Sequence, residues 1–450
     1  MIFISPLILC FNKFKDFCLS FFKIKYILSN VYYILIKYHF NKISWYHFKK
    51  ALTKKTEYRQ KGYKLENRGK RNISITLLYG KINISRSILR INNKISEKEL
   101  EELNLKSREI IPYDEYLGID KLEFKISKEA MIEIAFWGQN QNSYNQAKNM
   151  LEKYRNIVLG TDSILKVTEH VGKIVFEKDC IEAQNTYNNI ANISTVEKEK
   201  TREILYGSID GCAVNTRIED ENGSTWKENK LGMFFDSKDL YMRKDKTNMI
   251  INKTFTTFFG CVENFKQHFY NLAVKKDYLS YKTVIFITDG ATWIRTMLNE
   301  LFPDAIQILD KFHLLENIGS YAKVIFKDNT VKIKNFVERT YERIINKEFN
   351  LIYRELKKYG NICMPAGTVN LESYIRNNES KMDYRYYEKQ GWFVGSGAIE
   401  SANKTVVQRR TKQPGMRWSV NGGQYILTLR AKEESNLWDE EVKKRILALC

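Results

Sequence analysis

Short apolar runs alternate with helical patterns through the middle of the chain. Each run is continuous, as expected of a strand that is buried on both faces of a sheet. The residues between the runs follow helical spacing, which predicts helices that cover the sheet. The predicted strands occupy 203–211, 229–236, 282–290 and 305–310, and the predicted helices between them occupy 262–274 and 291–301. The sequence therefore predicts an α/β sheet with helices on both faces.

The regions on either side of this sheet each have one dominant pattern. Apolar and polar residues alternate over 73–90 about Tyr79 and Gly80, which predicts a small β-hairpin. After residue 311 the pattern is almost wholly helical. One apolar stripe in this part is interpreted as a helical core, and its members are Val337, Tyr341, Ile344, Ile345, Phe349, Ile352 and Leu356.

A helical region is predicted between the hairpin and the sheet. Residues 127–175 follow a helical pattern, with Ser127 and Ser143 at capping positions and a break near Gly160. Two helices on either side of such a break fit a DNA-binding helix-turn-helix. Helical hairpins that bind nothing share this pattern, so the sequence leaves both interpretations open.

The first fifty residues are unusually apolar, but their longest uncharged stretches cover only 1–12 and 26–36. Both are shorter than the roughly 18–20 residues that span a bilayer. We expect residues 1–65 to form a basic, apolar extension outside the main fold, either as solvated lysines or as a nonspecific phosphate-binding arm. A basic amphipathic surface helix is the alternative. The expected location is cytoplasmic and nucleoid-associated, with no membrane partner.

Composition and charge exclude some classes of protein and indicate the kind of partner. The chain has 450 residues, of which 43% are apolar and 28% charged, which excludes a disordered or collagen-like protein. The net charge of +20 indicates a polyanionic partner, most often nucleic acid. The seven cysteines form no CxxC pair, so neither a disulfide framework nor a zinc site is expected.

Two predicted strands end in an Asp-Gly pair, at Asp210-Gly211 and at Asp289-Gly290. Ligands of α/β sheets gather at the carboxyl ends of strands, and glycine there permits a sharp turn. Two carboxylates on neighbouring strand ends repel each other unless a cation lies between them. Ligation by oxygen alone favours Mg²⁺ or Mn²⁺. The alternative is that both aspartates serve only as turn or cap residues.

Glu400 is the third candidate acid. It lies early in a helical pattern that follows a Gly-Ser-Gly turn at 395–397. One acid followed by several bases suits a helix that offers a metal ligand at one end and contacts phosphates along its length. The bases are Lys404, Arg409, Arg410, Lys412 and Arg417. A surface helix without function would have the same charge pattern.

A last polar cluster is Asp310 with His313. The aspartate ends a predicted strand, and the histidine follows at the start of a helix. Spacing alone does not decide whether His313 is structural or functional.

These residues lie in motifs that resemble a known family. The chain is similar to the DDE transposases of prokaryotic insertion sequences, of the ISKra type, which are related to the Mutator-like transposases. Weaker similarity extends to 79–87 and 111–119. The five main motifs are YGSIDGCAV with TWKENKLGMFF (206–235), ITDGATWI (287–294), LFPDAIQILDKFHLLENI (301–318), GSGAIESANKTVVQRRTKQPGMRWS (395–419) and GGQYILTLRA (422–431). The last two motifs are the most specific.

The resemblance implies an RNase H-like catalytic core with an all-α insertion between the second acid and the glutamate. Asp210, Asp289 and Glu400 would form the DDE triad and bind two Mg²⁺ or Mn²⁺ ions. It also makes His313 an active-site residue, because Asp310 and His313 resemble the C/D-x-x-H signature of Mutator-like enzymes. Further expected neighbours of the site are Asp310, Trp293 and Trp418. One departure is that 90–102 lacks the cysteines that such proteins often carry after the first hairpin.

The expected function is therefore a transposase that cleaves element ends and joins their 3′-OH groups to target DNA. Its partners would be double-stranded DNA and, on DNA, a second copy of the chain. An RNase H-like nuclease without strand transfer, an inactive DNA-binding relic and a membrane-anchored protein stay open. The expected organisation is an extension (1–65), a hairpin element (66–122), a helical, helix-turn-helix-like region (123–200), the first part of the core (201–310), the α-helical insertion (311–392) and the C-terminal core helices with Glu400 (393–450).

Overall fold

The computed structural model describes residues 55–449, except 104, 106, 113, 115–117, 222, 243–247, 361, 363–364, 366–367 and 396. Most of the predicted N-terminal extension lies outside the described residues. The chain divides into two units. Unit 1 ends at Val171 and includes the C-terminal residues from Ile446, and unit 2 is Gly172–Arg445.

Unit 1 contains the predicted hairpin, which is longer than the sequence indicated. Strand β1 (Leu65–Leu77) pairs antiparallel with β2 (Gly80–Ile91), and β3 (Glu109–Ile110) pairs with β2. Burial alternates along most of β2, and in β1 the buried residues lie in its last five positions, as expected for a sheet with one solvated face. The buried side of the hairpin is formed by Ile73, Ile75, Ile82 and Ile84.

The helices that follow begin where the sequence placed their caps. Helix α1 is Glu97–Glu102, α2 is Lys128–Asn140 and α3 is Tyr144–Arg155. The Ser127 hydroxyl accepts a hydrogen bond from the Ala130 amide, and the Ser143 hydroxyl accepts one from Gln146. These contacts satisfy amide groups that the first turn of a helix leaves without partners. Both capping predictions are confirmed.

Helix α4 (Thr161–Asn188) starts after the predicted break and runs thirteen residues beyond residue 175, where the predicted region ended. A short helix α5 (Ile190–Ser194) follows it. The extension is physically reasonable because Val175, Ala183 and Tyr187 keep an apolar stripe along the later turns, with the first two fully buried. DNA binding by these helices stays a prediction.

Unit 2 is built on a five-stranded mixed sheet. Its strands are β4 (Arg202–Asn215), β5 (Trp226–Asp236), β8 (Thr254–Phe259), β9 (Tyr281–Thr288) and β10 (Ile306–Leu309), in the order β10-β9-β4-β5-β8. Strands β4, β5 and β8 are antiparallel neighbours, whereas β9 and β10 run parallel to β4. A separate two-stranded ribbon pairs β6 (Leu240–Met242) with β7 (Asn248–Ile250). The predicted α/β class is confirmed, but strands β6, β7 and β8 were not predicted.

The prediction that β4 ends at Asp210 is wrong. The strand continues to Asn215, because β5 keeps pairing with it as far as Trp226. Only the parallel partner β9 stops near Asp210, since the last parallel pair joins Ser208 to Ile287. At Gly290, in contrast, the chain turns with φ of +88°, as the Asp-Gly pair predicted.

Helices α6 (Val262–Lys275) and α7 (Thr292–Leu301) cover one face of this sheet, close to their predicted bounds. The core between them is dominated by phenylalanine rings, such as the stacked pair Phe234 and Phe269 at 4.7 Å. Gly207 leaves room for one of these rings, because a Cβ atom there would lie 2.3 Å from Phe286.

After β10 every described element is helical, as predicted. The helices and helical turns are α8 (Lys311–Phe326), α9 (Thr330–Ile345), α10 (Phe349–Lys357), α11 (Leu371–Asn378), a 3₁₀ turn (Glu379–Lys381), α12 (Tyr384–Lys389), α13 (Gly397–Ala402), a π-helical turn (Asn403–Gln408), α14 (Arg409–Thr411), α15 (Val420–Glu434), a second π-helical turn (Trp438–Lys443) and α16 (Lys444–Leu447). Helix α13 and the first π-helical turn pack against β4. In the part of the chain that the structure describes, no helix is both long and apolar enough to cross a membrane.

Helix α15 packs against the outer strand β8. The Ser435 hydroxyl, just beyond the helix, accepts a hydrogen bond from the Phe255 amide at 2.8 Å. The Gln424 side-chain oxygen accepts one from the Phe259 amide at 2.6 Å. Side chains thus satisfy amide groups at the edge of the sheet, where a further strand would otherwise pair.

Candidate active site

Asp210 and Asp289 lie side by side on neighbouring strands. The parallel register pairs Ser208 with Ile287, so two residues further along each chain bring Asp210 level with Asp289. Neighbouring strands are about 4.8 Å apart, which allows both carboxyl groups to reach one small ligand. The structure therefore brings the first two predicted acids together at the end of β9.

The Asp289 turn is held in place by the helical region that follows the sheet. The Ala291 amide donates to the Asp289 carboxylate at 2.9 Å, and the Tyr374 hydroxyl donates to the Asp289 backbone oxygen at 2.9 Å. A side chain at Gly290 would collide with Leu309 and Asn378. Helix α11 thus packs closely against this turn and fixes the position of the aspartate.

Asp210 occupies an environment that opposes its negative charge. Burial raises the pKa of Asp210, and the nearby charge of Asp289 raises it further. Hydrogen bonds from the Gly211 amide and the Asn403 side chain, together with the charge of His313, act in the opposite direction. A cation bound between the two aspartates would relieve their repulsion.

Asp310 and His313 form a second part of the same site. Asp310 is completely buried, follows β10 directly, and caps α8 by accepting from the His313 amide at 2.8 Å. The same carboxylate contacts His313 Nδ1 at 2.7 Å. That contact, with the further charges of Asp289 and Asp210, raises the pKa of His313 to about 9 despite partial burial. The imidazole is therefore charged at neutral pH and lies close to both aspartates.

Glu400 lies on α13, which packs against β4, and its side chain is half-buried. Asn403, three residues later, reaches Asp210 directly: its side-chain amide donates to Asp210 Oδ2 at 2.6 Å. Asn403 was not among the residues predicted from the sequence. Its spacing of three residues from Glu400 places both on one face of a helix, but this spacing is too common to single out Asn403.

Among the described residues, one group of three metal-ligating side chains has its donor atoms within 4.8 Å of one another, and it is not the predicted triad. It consists of Asp179, Glu182 and Glu441. Three bases, Lys275, Lys432 and Arg445, form ion pairs with these acids. Although burial acts in the opposite direction, Lys432 and Arg445 lower the pKa of Asp179. The charges balance within this group, which makes it an ion-pair network and not a metal site.

The predicted DNA-binding bases differ in exposure. Arg410 is buried, with 1% of its surface exposed, and its guanidinium lies 4.9 Å from the centre of the Trp418 ring. A phosphate cannot reach it, so the prediction of DNA binding is wrong for this arginine. The other four bases are exposed and remain candidates: Lys404, Arg409, Lys412 and Arg417.

The two tryptophans that were expected near the site have packing roles. Trp418 is buried, and its backbone amide donates to the Asn215 carbonyl at the end of β4. Trp293 is half-buried on α7, where its ring contacts Phe265 and lies under the ammonium group of Lys230. The buried Trp418 ring therefore serves packing, whereas a role of the half-buried Trp293 at the site stays a prediction.

Comparisons with known proteins add one structural likeness. No protein-family model and no curated protein matches this chain. Among solved structures, the chain is similar to the Drosophila P element transposase strand transfer complex. The two share 9% sequence identity and a TM-score of 0.33, and the match covers 76% of this chain and 99% of the other. This likeness identifies no family for the chain.

Proposed function

We propose that the protein is a metal-dependent DNA transposase, which cleaves phosphodiester bonds at the ends of a mobile element and joins the 3′-OH ends to target DNA. The observation that carries the proposal is the pair Asp210 and Asp289, level with each other on adjacent strands, where burial and the charge of Asp289 raise the pKa of Asp210. Acid pairs of this kind are how phosphoryl-transfer enzymes hold divalent cations.

The strand order supports the proposal. An RNase H-like core has three antiparallel strands followed by two parallel ones, with its acids on adjacent strands. The sheet of unit 2 has this order and these directions, with β8, β5 and β4 antiparallel and β9 and β10 parallel to β4. The helices from α8 to α12 lie between Asp289 and Glu400 in the chain and would form the insertion before the glutamate.

The side chains fit Mg²⁺ or Mn²⁺. The candidate ligands are carboxylate oxygens alone, which these hard cations prefer. Asp210 and Asp289 would hold them, with Glu400 as the third ligand from α13. When bound, two such ions would supply an activated attacking oxygen and stabilise the leaving 3′ oxygen during in-line displacement.

Positively charged residues near the acids would favour the binding of a phosphate group. His313, held by Asp310 in its charged form, places a positive charge beside the two aspartates. The exposed bases Lys404, Arg409, Lys412 and Arg417 follow Glu400 in the chain and would contact the DNA backbone. Strand transfer requires two DNA ends together, so we expect a homodimer on DNA.

The test is cleavage of a labelled duplex that carries the inverted repeats flanking the gene, with Mg²⁺ or with EDTA. We expect metal-dependent nicking at the repeat edge by the wild-type chain and none by Asp289→Asn, while DNA binding persists. Asp304→Asn is the matched control, because this exposed carboxylate lies in unit 2 before β10.

Cleavage by Asp289→Asn at the wild-type rate would contradict the proposal. Cutting without preference for the repeat edge would identify a nuclease without strand transfer. Binding without cutting by the wild-type chain would identify an inactive relic.

A further inference from the structure

We propose that Asn403 is a positioning residue, which orients the Asp210 carboxylate for a divalent cation and offers its own side-chain oxygen to a water molecule carried by that cation. This inference rests on the proposed function and adds a residue for which the sequence motifs indicated no role.

The contact itself is specific. Asn403 is buried, with 4% of its surface exposed, and its amide donates to Asp210 Oδ2 at 2.6 Å. An ionised carboxylate only accepts hydrogen bonds, so the nitrogen of the amide, and not its oxygen, must face Asp210. Together with the Gly211 amide, which also bonds to this carboxylate, Asn403 fixes the direction in which Asp210 presents its oxygens.

The local backbone accounts for the position of Asn403. It is the first residue of the π-helical turn, which is wider than an α-helical turn and leaves carbonyl groups without their usual partners. Arg430 of α15 replaces those partners: its guanidinium donates to the Val406 carbonyl at 2.8 Å and also to Thr405. Arg430 is completely buried, so the π-helical turn is held by a rigid internal contact. Such turns occur often at functional sites.

The second observation is an unmet hydrogen bond. Asn403 Oδ1 is buried and has no hydrogen-bond partner in the structure. A buried acceptor without a hydrogen bond lowers the stability of a protein by about 1–3 kcal/mol, so such acceptors are rare in native structures. The atom belongs to the side chain that contacts Asp210, which places it beside the acids. A hydrated cation carries O–H donors and would satisfy it.

The experiment is calorimetric titration of Mn²⁺ into the full-length protein without DNA, for the wild type, Asn403→Ala and Asn403→Leu. Loss of a side chain that orients a metal ligand typically weakens metal affinity 10–100-fold, and we expect a loss in this range for both variants. Leucine nearly preserves the volume of the asparagine side chain. Equal losses of Mn²⁺ affinity in the two variants would therefore be due to the missing amide and not to a packing defect. Circular dichroism and thermal melting report folding.

Gln408→Ala is the matched control. Gln408 lies on the same π-helical turn, and its amide contacts the Cys212 thiol on β4 at 3.8 Å and not a carboxylate of the site. We expect this variant to bind Mn²⁺ like the wild type. Wild-type affinity in folded Asn403→Leu would overturn the role of Asn403 and leave the proposed function intact. Two results would overturn both the role of Asn403 and the proposed function. One is a wild-type chain that binds no Mn²⁺, and the other is an Asp210→Asn variant that binds Mn²⁺ as tightly as the wild type.

Discussion

Arg409 and Arg410 are adjacent in the chain, but the fold places them in opposite environments. Arg409 is exposed at the end of the π-helical turn, whereas Arg410 points inward over Trp418. Only the first can neutralise a DNA phosphate. The second contributes to stability, through contact with a ring that is itself anchored to the end of β4.

Substituting each arginine separately should therefore give opposite results. Arg409→Ala should reduce the slope of log affinity against log salt concentration by about 0.9, because one phosphate contact is lost. Its free energy of unfolding should stay within about 0.5 kcal/mol of the wild type. The measurement is DNA binding by fluorescence anisotropy at several salt concentrations.

Arg410→Ala is the partner variant. It should lower the free energy of unfolding by about 1–3 kcal/mol in urea titrations, because a buried side chain is lost. A stable Arg410→Ala protein with a reduced salt slope would show that this arginine does reach DNA.

At the scale of residues, the acids of the candidate site can be predicted from the sequence, whereas the side chain that hydrogen-bonds to one of them cannot. Asp210 and Asp289 stand out because each follows a buried apolar run and precedes glycine. Asn403 does not stand out, since an asparagine within a helical pattern has no distinctive neighbours in sequence. Its contact with Asp210 joins residues 193 positions apart, and only the packing of the first π-helical turn on β4 creates it.

Among the elements, β4 is the strand on which the site depends, and neighbouring rings constrain its Gly207. A Cβ atom at Gly207 would lie 2.3 Å from Phe286 and 3.0 Å from Phe234. Both rings belong to the phenylalanine core that α6 and α7 cover. The core can accept a methyl group there only by moving large side chains.

Gly207→Ala should accordingly lower the free energy of unfolding by about 1–3 kcal/mol. Gly319→Ala is the matched control, because a Cβ atom within α8 meets nothing nearer than Val337 at 4.0 Å. That variant should be neutral or more stable by up to about 1 kcal/mol, since alanine favours helix. Chemical denaturation of both proteins tests the pair, and equal stabilities would contradict the close packing seen at Gly207.

Elements with a strong local pattern were predictable, and those defined by pairing were not. The capped helices α2 and α3 and the hairpin of β1 and β2 follow from side-chain chemistry within a few residues. Strand β8 is short and contains three threonines, so its apolar signal is weak, and it becomes a strand by pairing with β5. The true end of β4 is likewise set by its partner.

Across the whole molecule, acid should destabilise unit 2 through one buried histidine. His268 has 8% of its surface exposed and stacks on Phe176. Burial lowers the pKa of His268 to about 4, from an ordinary value near 6.5. The folded protein therefore holds the neutral ring, while the unfolded chain takes up a proton below pH 6.5. The histidine's contribution to stability is complete above pH 6.5 and falls as the pH decreases towards 4.

The expected loss between pH 6.5 and 4 is about 3 kcal/mol from this group. Many carboxylates titrate in the same range, so the measurement is the difference between the wild type and His268→Phe. Phenylalanine keeps a ring against Phe176 but cannot be protonated, and the stability of this variant should fall less steeply with acid. Parallel pH profiles would show that His268 is not buried in its neutral form.

The side chains that close the edge of β8 have a consequence for synthesis on the ribosome. All strands of the five-stranded sheet have been translated by Leu309, but Gln424 and Ser435 follow more than one hundred residues later. At 5–20 residues per second, the nascent sheet waits on the order of ten seconds with an open edge. Open edges pair with other chains. A message cut short before codon 424 would therefore yield aggregates and a burden on chaperones, and not a truncated competitor for DNA.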